Sequence, residues 1–499
     1  MSWLLTLPII IPFATAVAAF MVKERPSGAW ISVLGSLLSL CAAGALMVAV
    51  LADGVVAAQM GQWAAPFGIT LVADLLSAVM VVITAITGLA TAVYALADID
   101  AEKERLGYHA LFQVLIAGVT GAFLTGDLFN LYVWFEVMLI SSFGLLVLGG
   151  SREQIDGGIK YVALNLISTI LFLSGTGLLY GMTGTLNLAD LSLAVREVEN
   201  QGLLTVVAMM FMVAFGVKAA VFPLFFWLPA AYHTPAFSVS AVFAGLLTKV
   251  GVYALIRMFT LVFTGDTGFT HTILLWVACL TMVVGVLGAA AQSDFRKILS
   301  FHIVSQIGYM ILGLALFTPL AIVGAVFYLV HHIIVKANLF FVSGVAHRLA
   351  GSTDLRRIGG LYKSSPLLAV LFLVPAFSLA GFPPLSGFWA KYLLVKASLD
   401  IEAWFVAFVA LAVGLLTIFS MTKIWGEAFW KPHPDATEPK VMALDRAIFW
   451  PLILPIAGLA ALTVLIGLNP EPFVQFAQRS ADQLLNPTAY VTTVLGGAP

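Results

Sequence analysis

The sequence Lys218-Ala-Ala-Val-Phe-Pro-Leu-Phe-Phe-Trp-Leu-Pro229 places a lysine and two prolines inside an apolar run that extends over residues 203–229. Proline removes a backbone hydrogen-bond donor and clashes with the preceding turn, so a helix does not continue through it undisturbed. Within a bilayer, such an interruption survives only where protein or internal water satisfies the freed carbonyl groups. The stretch therefore predicts a membrane helix that is broken beside a buried lysine.

A second stretch, Gly381-Phe-Pro-Pro-Leu-Ser-Gly-Phe-Trp-Ala-Lys391, has the same combination of prolines and lysine. Interrupted spans in corresponding positions of two halves are typical of transporters built from inverted repeats. The predicted breaks lie at Pro223 in the first stretch and at Pro383 and Pro384 in the second. The order of lysine and proline differs between them, and proline also kinks ordinary membrane helices. An internal repeat and two unrelated kinks both remain possible from these stretches.

The composition is that of a polytopic membrane protein. Of the 499 residues, 61% are hydrophobic and only 10% are charged, whereas soluble proteins carry about 25% charged residues. A membrane span needs roughly 20 mostly apolar residues. We therefore predict an all-α polytopic membrane protein with 14 transmembrane helices, at residues 3–22, 29–51, 69–96, 108–126, 128–149, 159–183, 203–229, 239–263, 271–291, 297–316, 319–346, 367–399, 403–428 and 449–469.

The numbering of these spans bears on symmetry and orientation. The two interrupted spans are the seventh and the twelfth, and a displacement of five helices reverses orientation, so the two units would be inverted repeats. Lysine and arginine concentrate in connections that follow odd-numbered spans, as with Arg348, Arg356 and Lys363. Because basic loops stay in the cytoplasm, we expect both termini on the external side. The net charge of −1 gives no indication of nucleic acid binding.

Five ionisable residues lie deep inside the predicted spans: Glu136, Lys218, Lys249, Lys336 and Lys391. A charge at mid-membrane costs roughly 2.5–3.5 kcal/mol on insertion scales. A chain that carries five such residues is expected to use them, either paired with one another or beside internal water. This pattern points to the movement of protons or cations through the membrane.

Two pairs of these residues suggest how a proton could move. A buried lysine alone readily becomes neutral, whereas a lysine beside a carboxylate holds its proton. Opening and closing a pair of Glu136 and Lys218 could therefore push a proton away, although a static ion pair is the alternative. His332 and Lys336 are four residues apart and share a helix face. This spacing favours a relay step about as much as an ordinary buried histidine bonded to a carbonyl group.

Other polar residues have two interpretations each. His302, Ser305 and Gln306 form a polar stripe on the tenth span, which fits either a proton path or hydrogen bonding between helices. Asp127 follows the fourth span and is a candidate cation site, but a surface or capping role is also expected for it and for Asp74. We recognise no metal-binding, nucleotide-binding or haem-binding motif, so neither a metal site nor an organic cofactor is expected.

Four segments in combination resemble the antiporter-like subunits of respiratory complex I and of multisubunit Mrp-type Na+/H+ antiporters. They are Gly126-Asp-Leu-Phe-Asn-Leu-Tyr-Val-Trp-Phe-Glu136, Gly216-Val-Lys218 with the following Phe222-Pro-Leu and Leu228-Pro229, Asp294-Phe-Arg-Lys-Ile-Leu-Ser-Phe-His-Ile-Val-Ser-Gln-Ile-Gly-Tyr-Met310, and His332-Ile-Ile-Val-Lys336-Ala. The resemblance covers nearly the whole chain and is strongest to the D-type Mrp subunits. It implies 14 helices, inverted repeats of helices 4–8 and 9–13 with discontinuous helices 7 and 12, and a central hydrophilic axis.

The resemblance also implies a division of the chain. Helices 1–3 would occupy residues 1–107, the two repeats would occupy residues 108–265 and 266–430, and helix 14 with a tail would occupy residues 431–499. At matching positions, Glu136 and Lys218 would be the coupling pair and Lys249 the bridging lysine. His332 and Lys336 would form the central relay, and Lys391 would be the terminal site.

The partners implied are Na+, H+, membrane lipid and other antiporter subunits of types A, B, C, E, F and G, in a bacterial cell membrane. The chain would be a subunit of a secondary transporter with no redox chemistry of its own. One alternative is a proton-pumping membrane subunit of a complex I-like redox complex. A further alternative is a scaffold that conducts nothing, which the five charges inside the membrane argue against.

Overall fold

The computed structural model describes residues 2–433 and 446–496, and most of these residues are helical. The helices are α1 (Ser2–Met21), α2 (Ser27–Asp53), α3 (Leu75–Asp98), α4 (Ala101–Arg105), α5 (Tyr108–Leu124), α6 (Leu128–Val147), α7 (Arg152–Thr183), α8 (Leu188–Ala194), α9 (Gln201–Ala219), α10 (Trp227–Ala231), α11 (Phe237–Val242), α12 (Thr248–Leu261), α13 (Thr267–Ala291), α14 (Phe295–Leu316), α15 (Pro319–Ala350), α16 (Leu361–Ser364), α17 (Pro366–Ala380), α18 (Ser386–Asp400), α19 (Trp404–Ile424), α20 (Arg446–Leu468), α21 (Glu471–Leu485) and α22 (Thr488–Leu495). A 3-10 turn covers Met60–Gln62, and π-helical turns cover Phe243–Leu247 and Trp425–Trp430.

Within the described residues, 12 helices are long and apolar enough to cross a membrane. This confirms the prediction of a helical polytopic membrane protein. The fourth predicted span is α5, a shorter helix of 17 residues. The twelfth is divided into α17 and α18, of 15 residues each. The predicted segment 431–499 includes residues 434–445, which lie outside the described residues.

The prediction of an all-helical chain missed one hairpin. Strands β1 (Val56–Gln59) and β2 (Thr70–Ala73) pair antiparallel, with Val56 opposite Ala73. The start of the third predicted span is therefore a strand, and α3 begins only after Asp74. Short apolar runs do not distinguish a strand from a buried helix by hydropathy, which explains the error.

The innermost helices are those that carry the predicted relay residues. In the most apolar 18-residue stretch of the segment Phe237–Leu261, which contains α11 and α12, 94% of the residues are buried, and the corresponding shares in α14 and α15 are 94% and 89%. The other candidate spans are between 39% and 67% buried, because one of their sides forms the outer surface. Residues on α12, α14 and α15 are therefore enclosed by protein on all sides.

The helices that precede the two predicted breaks, α9 and α17, end in the same backbone arrangement. Ala220 follows α9 with φ 62°, and Gly381 follows α17 with φ 93°, so both lie in the left-handed region. The next residue in each case, Val221 or Phe382, donates its N–H to the carbonyl five positions earlier, at 3.0 and 2.9 Å. This pairing is the Schellman motif, which satisfies carbonyl groups at the end of a helix.

The three prolines lie in the segments that follow these motifs. Pro223 lies between α9 and α10, and Pro383 and Pro384 lie between α17 and α18. In each break a proline stands three positions after the left-handed residue. Helices α10 and α18 then resume the chain beyond the break.

A second arrangement also occurs twice. Helices α6 and α14 are capped by Asp127 and Asp294, whose carboxylates accept a hydrogen bond from the backbone N–H three positions on, at 2.7 and 3.0 Å. Asp127 also forms an isolated antiparallel bridge with Asn187, and Asp294 forms one with Asp354. A duplicated five-helix unit would produce this recurrence of cap and bridge.

Candidate functional site

The centre of the bundle holds two fully buried lysines. Lys249 lies on α12 just after a π-helical turn, and its Nζ donates a hydrogen bond to the carbonyl of Ala244 within that turn. Lys336 lies on α15, and its Nζ donates to the carbonyl of Leu299 on α14 at 3.0 Å. Neither lysine forms a salt bridge among the described residues. Among the described residues, each ammonium group therefore donates to a backbone carbonyl oxygen and not to a carboxylate.

Two histidines lie beside these lysines. His332 interacts electrostatically with Lys249, Lys336 and His302, and His302 also interacts with Lys391. Both imidazoles are fully buried. None of their four ring nitrogens has a hydrogen-bond partner among the described residues. The structure thus brings the predicted relay residues of α12, α14 and α15 into one cluster.

The polar stripe on α14 divides into two roles. Ser305 Oγ donates to the carbonyl of Met282 on α13 at 3.0 Å, which is a hydrogen bond between helices. Gln306 instead accepts a hydrogen bond from the hydroxyl of Tyr328 on α15. The Tyr328 ring stacks on His332, with centroids 6.4 Å apart. Gln306 therefore adjoins the buried histidines, while Ser305 holds α13 and α14 together.

The second break carries its own polar cluster. His331 Nδ1 lies 2.8 Å from Ser386 Oγ, which lies 3.0 Å from Ser378 Oγ. Lys391 Nζ donates to the carbonyl of Ala380, the last residue of α17, at 2.9 Å and lies 5.1 Å from the ring centroid of Tyr309. A cation at a helix C-terminus interacts favourably with the helix dipole. Lys391, the predicted terminal site, thus binds a backbone carbonyl group at the C-terminal end of α17.

At the first break, the predicted pair is separated. Among the described residues, no salt bridge joins Glu136 and Lys218, although the two interact electrostatically. Glu136 accepts a hydrogen bond from Thr169 Oγ1 at 2.7 Å, and Lys218 Nζ lies 5.6 Å from the ring centroid of Phe135. Both charged residues are only partly buried. In this conformation the lysine and the carboxylate are neighbours without direct contact.

A small cavity of about 20 Å³ adjoins Lys218. An ordered water needs roughly 10–15 Å³ of such space, so there is room for about one water molecule. The cavity is lined by residues of α6, α7, α9, α10 and α12 and of the π-helical turn before α12, namely Phe135, Met138, Leu139, Tyr161, Asn165, Lys218, Trp227, Leu247, Val250 and Gly251. Most of the lining is aromatic or aliphatic, so Lys218 adjoins a largely apolar cavity.

Gly251 brings the first break close to the helix that carries Lys249. A Cβ atom at Gly251 would lie 2.5 Å from the backbone nitrogen of Ala219 and 2.8 Å from the carbonyl carbon of Lys218. The backbone of α12 therefore contacts the end of α9 directly. Only glycine permits this approach, and it sets the spacing between Lys218 and Lys249.

The two aspartates differ in their surroundings. Asp127 is partly buried and caps α6, and burial raises the pKa of its carboxyl group despite hydrogen bonds from the backbone of Asn130 and Phe129. Asp74 caps α3 through the N–H of Ser77 at 2.8 Å, as expected of a capping residue. A surface position for Asp74 was wrong, because it is only 2% exposed and forms an ion pair with Arg257.

Several site residues escaped the sequence analysis. His331 is not among the predicted residues, yet it contacts Ser386 at the second break. Asn338, two positions after Lys336, is fully buried with neither amide atom bonded among the described residues. Arg257 also escaped notice. It stands eight positions after Lys249, and this spacing by itself predicts that both residues lie on one helix face.

Comparison with known proteins gives a consistent result. The family described as NADH:quinone oxidoreductase/Mrp antiporter, TM, matches residues 125–417. The D-type Na(+)/H(+) antiporter protein of Alkalihalophilus pseudofirmus is 47% identical over 498 residues, which cover 99% of this chain and 100% of that protein. The protein of the same name from Bacillus subtilis is 39% identical over 490 residues, or 98% of each chain. A chain of the Mrp complex from Dietzia sp. DQ12-45-1b superposes with a TM-score of 0.90 at 35% identity, covering 99% of this chain and 100% of that chain.

The fold defines a polytopic helical membrane protein with lysines buried inside the bundle. The chain belongs to the family of transmembrane subunits shared by NADH:quinone oxidoreductases and Mrp antiporters. This confirms the family resemblance found in the sequence.

Proposed function

We propose that the chain is the D-type component of a multisubunit Na+/H+ antiporter and that it carries protons along the buried axis. Relatives that match over their full length bear the name of this antiporter component. The proposed path runs from Glu136 and Lys218 to Lys249, then through the His332 and Lys336 relay to Lys391. His302, which interacts electrostatically with Lys336 and Lys391, and Gln306 would link the relay to the terminal lysine.

The observation that carries this proposal is a group of buried polar atoms without protein partners around the two central lysines. Most buried polar groups in proteins are bonded to protein or to ordered water, and an unpaired one costs roughly 1–3 kcal/mol. Water that bonded to these atoms would join the lysines into a proton-conducting chain. Among the described residues the atoms are Thr248 Oγ1, both ring nitrogens of His302 and His332, Gln306 Nε2, and Asn338 Oδ1 and Nδ2.

The same proposal covers the architecture. The recurring caps and breaks support two inverted repeats, helices 4–8 at residues 108–265 and helices 9–13 at residues 266–430. Helices 1–3 and helix 14 would flank them and complete 14 spans in a bacterial cell membrane, with both termini outside. Subunits of types A, B, C, E, F and G would complete the assembly, and the chain would catalyse no redox reaction.

Purification of the native assembly tests the choice between the leading alternatives. Small antiporter subunits among the co-purified chains would support the antiporter. Quinone-reducing subunits would instead identify a complex I-like pump, which shares the same buried residues and differs in its partners. The identity with antiporter proteins over nearly the whole chain favours the first outcome.

The Glu136→Gln variant tests whether the chain conducts protons or serves only as a scaffold. Glutamine retains an acceptor for Thr169 but removes the charge that interacts with Lys218, so we expect a loss of most Na+/H+ exchange in everted vesicles. The matched control is Glu153→Gln, because Glu153 is an exposed residue in the first turn of α7. Wild-type exchange by Glu136→Gln in an intact assembly would favour the scaffold alternative.

Asp127 can be tested separately as a cation site. Asparagine is as good an N-cap as aspartate, whereas loss of the cap costs about 1 kcal/mol. If Asp127 binds Na+, Asp127→Asn should raise the Na+ concentration needed for half-maximal exchange. If it only caps α6, Asp127→Asn should leave that concentration unchanged and only Asp127→Ala should lower the thermal stability of the assembly.

A further inference from the structure

A buried ion pair lies outside the proposed proton path. Arg257 Nη1 on α12 lies 2.6 Å from Asp74 Oδ2 at the start of α3, and the two side chains are only 6% and 3% exposed. Each partner has additional hydrogen bonds, from Ser77 N–H to Asp74 and from Arg257 to Ser77 Oγ. A buried ion pair of this kind is costly to desolvate. Removal of one partner strongly destabilises the protein, because the other charge is left buried and unpaired.

Arg257 of the ion pair lies on the same face of α12 as the central lysine Lys249. Lys249, Tyr253 and Arg257 follow one another at intervals of four residues, so they lie on the same side of α12. The rise of the helix separates Lys249 from Arg257 by about 12 Å. Between them, the Tyr253 hydroxyl lies 2.9 Å from Ser77 Oγ and 3.3 Å from Arg257 Nη2. The polar groups of Tyr253, Ser77 and Arg257 thus lie beyond Lys249 along α12, toward one end of the bundle.

The C-terminal segment covers this end. Arg257 lies 5.2 Å from the ring centroid of Tyr490 on α22, and Tyr490 is only 4% exposed. Helix α21 is attached to α3, because Gln483 Oε1 accepts a hydrogen bond from the N–H of Leu75 at 3.0 Å. Helix α22 is attached to β1, because Gln59 Nε2 donates to the carbonyl of Val494 at 3.1 Å. The hairpin of β1 and β2 thus helps to hold Tyr490 over the ion pair.

We propose that the Asp74–Arg257 pair, covered by Tyr490, is a seal between Lys249 and the solvent at this end of the bundle. A guanidinium group is a permanent cation, and an arginine in a narrow pathway raises an electrostatic barrier to protons and cations. Asp74 holds the guanidinium group in place, and the ring of Tyr490 covers it. Charge that reaches Lys249 therefore continues to Lys336 and Lys391 instead of escaping directly. This inference rests on the proposed proton path.

The test measures passive proton leak in proteoliposomes that contain the whole assembly, with an imposed pH difference and no Na+. Arg257→Gln is expected to raise the leak several-fold over wild type, and Arg257→Lys, which keeps the cation, is expected to leave it close to wild type. Asp74→Asn combined with Arg257→Gln avoids an unpaired buried charge and preserves the cap, so it should assemble and also leak. A wild-type leak in this assembled double variant would overturn the seal.

Tyr490 provides an independent pair of variants. The Tyr490 hydroxyl has no hydrogen-bond partner among the described residues, so Tyr490→Phe keeps the cover and should not leak. Tyr490→Ala removes the ring over Arg257 and should leak. Equal leak rates for the phenylalanine and alanine variants would contradict a role for the aromatic cover.

A last variant separates failure of the seal from failure of the proposed path. Adding Lys249→Met to Arg257→Gln should abolish the leak, because the leak would pass through Lys249. Persistence of the leak would show that Arg257 does not seal this path. The proposed function is tested separately by Na+/H+ exchange in the Lys218→Ala variant. Wild-type exchange in that variant would reject the proposed proton path, whatever leak the Arg257 variants show.

Discussion

Replacing Lys218 with alanine is expected to abolish Na+/H+ exchange while leaving the assembly largely intact. Lys218 interacts electrostatically with Glu136, and it stands in the last turn of α9 beside the first break. Alanine removes the group that would hold and release a proton there. It is compatible with the helix, since alanine has the highest helix propensity of all residues. The expected result is therefore a loss of transport without a comparable loss of folded protein.

The measurement is exchange in everted vesicles, with the amount of assembled complex determined in the same membranes. Lys160→Ala is the matched control, because Lys160 is also a lysine on a long helix but is exposed and paired with Asp156 at 2.5 Å. We expect wild-type exchange from this control. Full exchange activity in the Lys218→Ala vesicles would reject the proposed proton path.

Replacing Gly251 with valine is expected to have the second largest effect, by separating α12 from the end of α9. Even the first carbon atom of a side chain would lie 2.5 Å from the nitrogen of Ala219, and that obstacle is backbone that cannot rotate away. Overpacking in well-packed interiors typically costs about 1–3 kcal/mol. The shift would also move Lys249 relative to Lys218, so exchange should fall even in the fraction that assembles.

Gly177→Val is the matched control for this variant. Gly177 lies in α7, and a Cβ atom there would meet nothing within 4 Å. The measurements are the amount of assembled complex and the exchange rate per complex. Gly251→Val with both values equal to those of the Gly177 control would show that the close contact between α9 and α12 is dispensable.

Much of the fold could be predicted from hydropathy and proline placement. Apolar runs of about 20 residues are long enough to cross the hydrocarbon core, so the spans were visible without any tertiary information. The breaks at Pro223 and at Pro383 and Pro384 were visible because proline cannot donate the backbone hydrogen bond. The hairpin at residues 56–73 was not visible, because a short apolar run does not distinguish a strand from a helix. Helices α21 and α22 were not visible either, because neither is an apolar run long enough to cross a membrane.

The candidate site was predicted only in part. Charged residues inside apolar runs identified Glu136, Lys218, Lys249, Lys336 and Lys391 without a structure. The partner of each residue could not be predicted, because contacts between helices depend on how the helices rotate and approach. Lys249 and Lys336 bind carbonyl groups of Ala244 and Leu299, and no side-chain pattern encodes these acceptors.

The sequence by itself determined that the chain spans a membrane many times, that two spans are broken, and that ionisable groups lie inside. These properties follow from local composition, since each segment must satisfy its own backbone and match the bilayer. Only the tertiary structure decided that Glu136 contacts Thr169 instead of Lys218, that His331 faces the second break, and that Asp74 is buried against Arg257. These contacts join segments far apart in the chain, and their geometry is set by packing that single positions such as Gly251 permit.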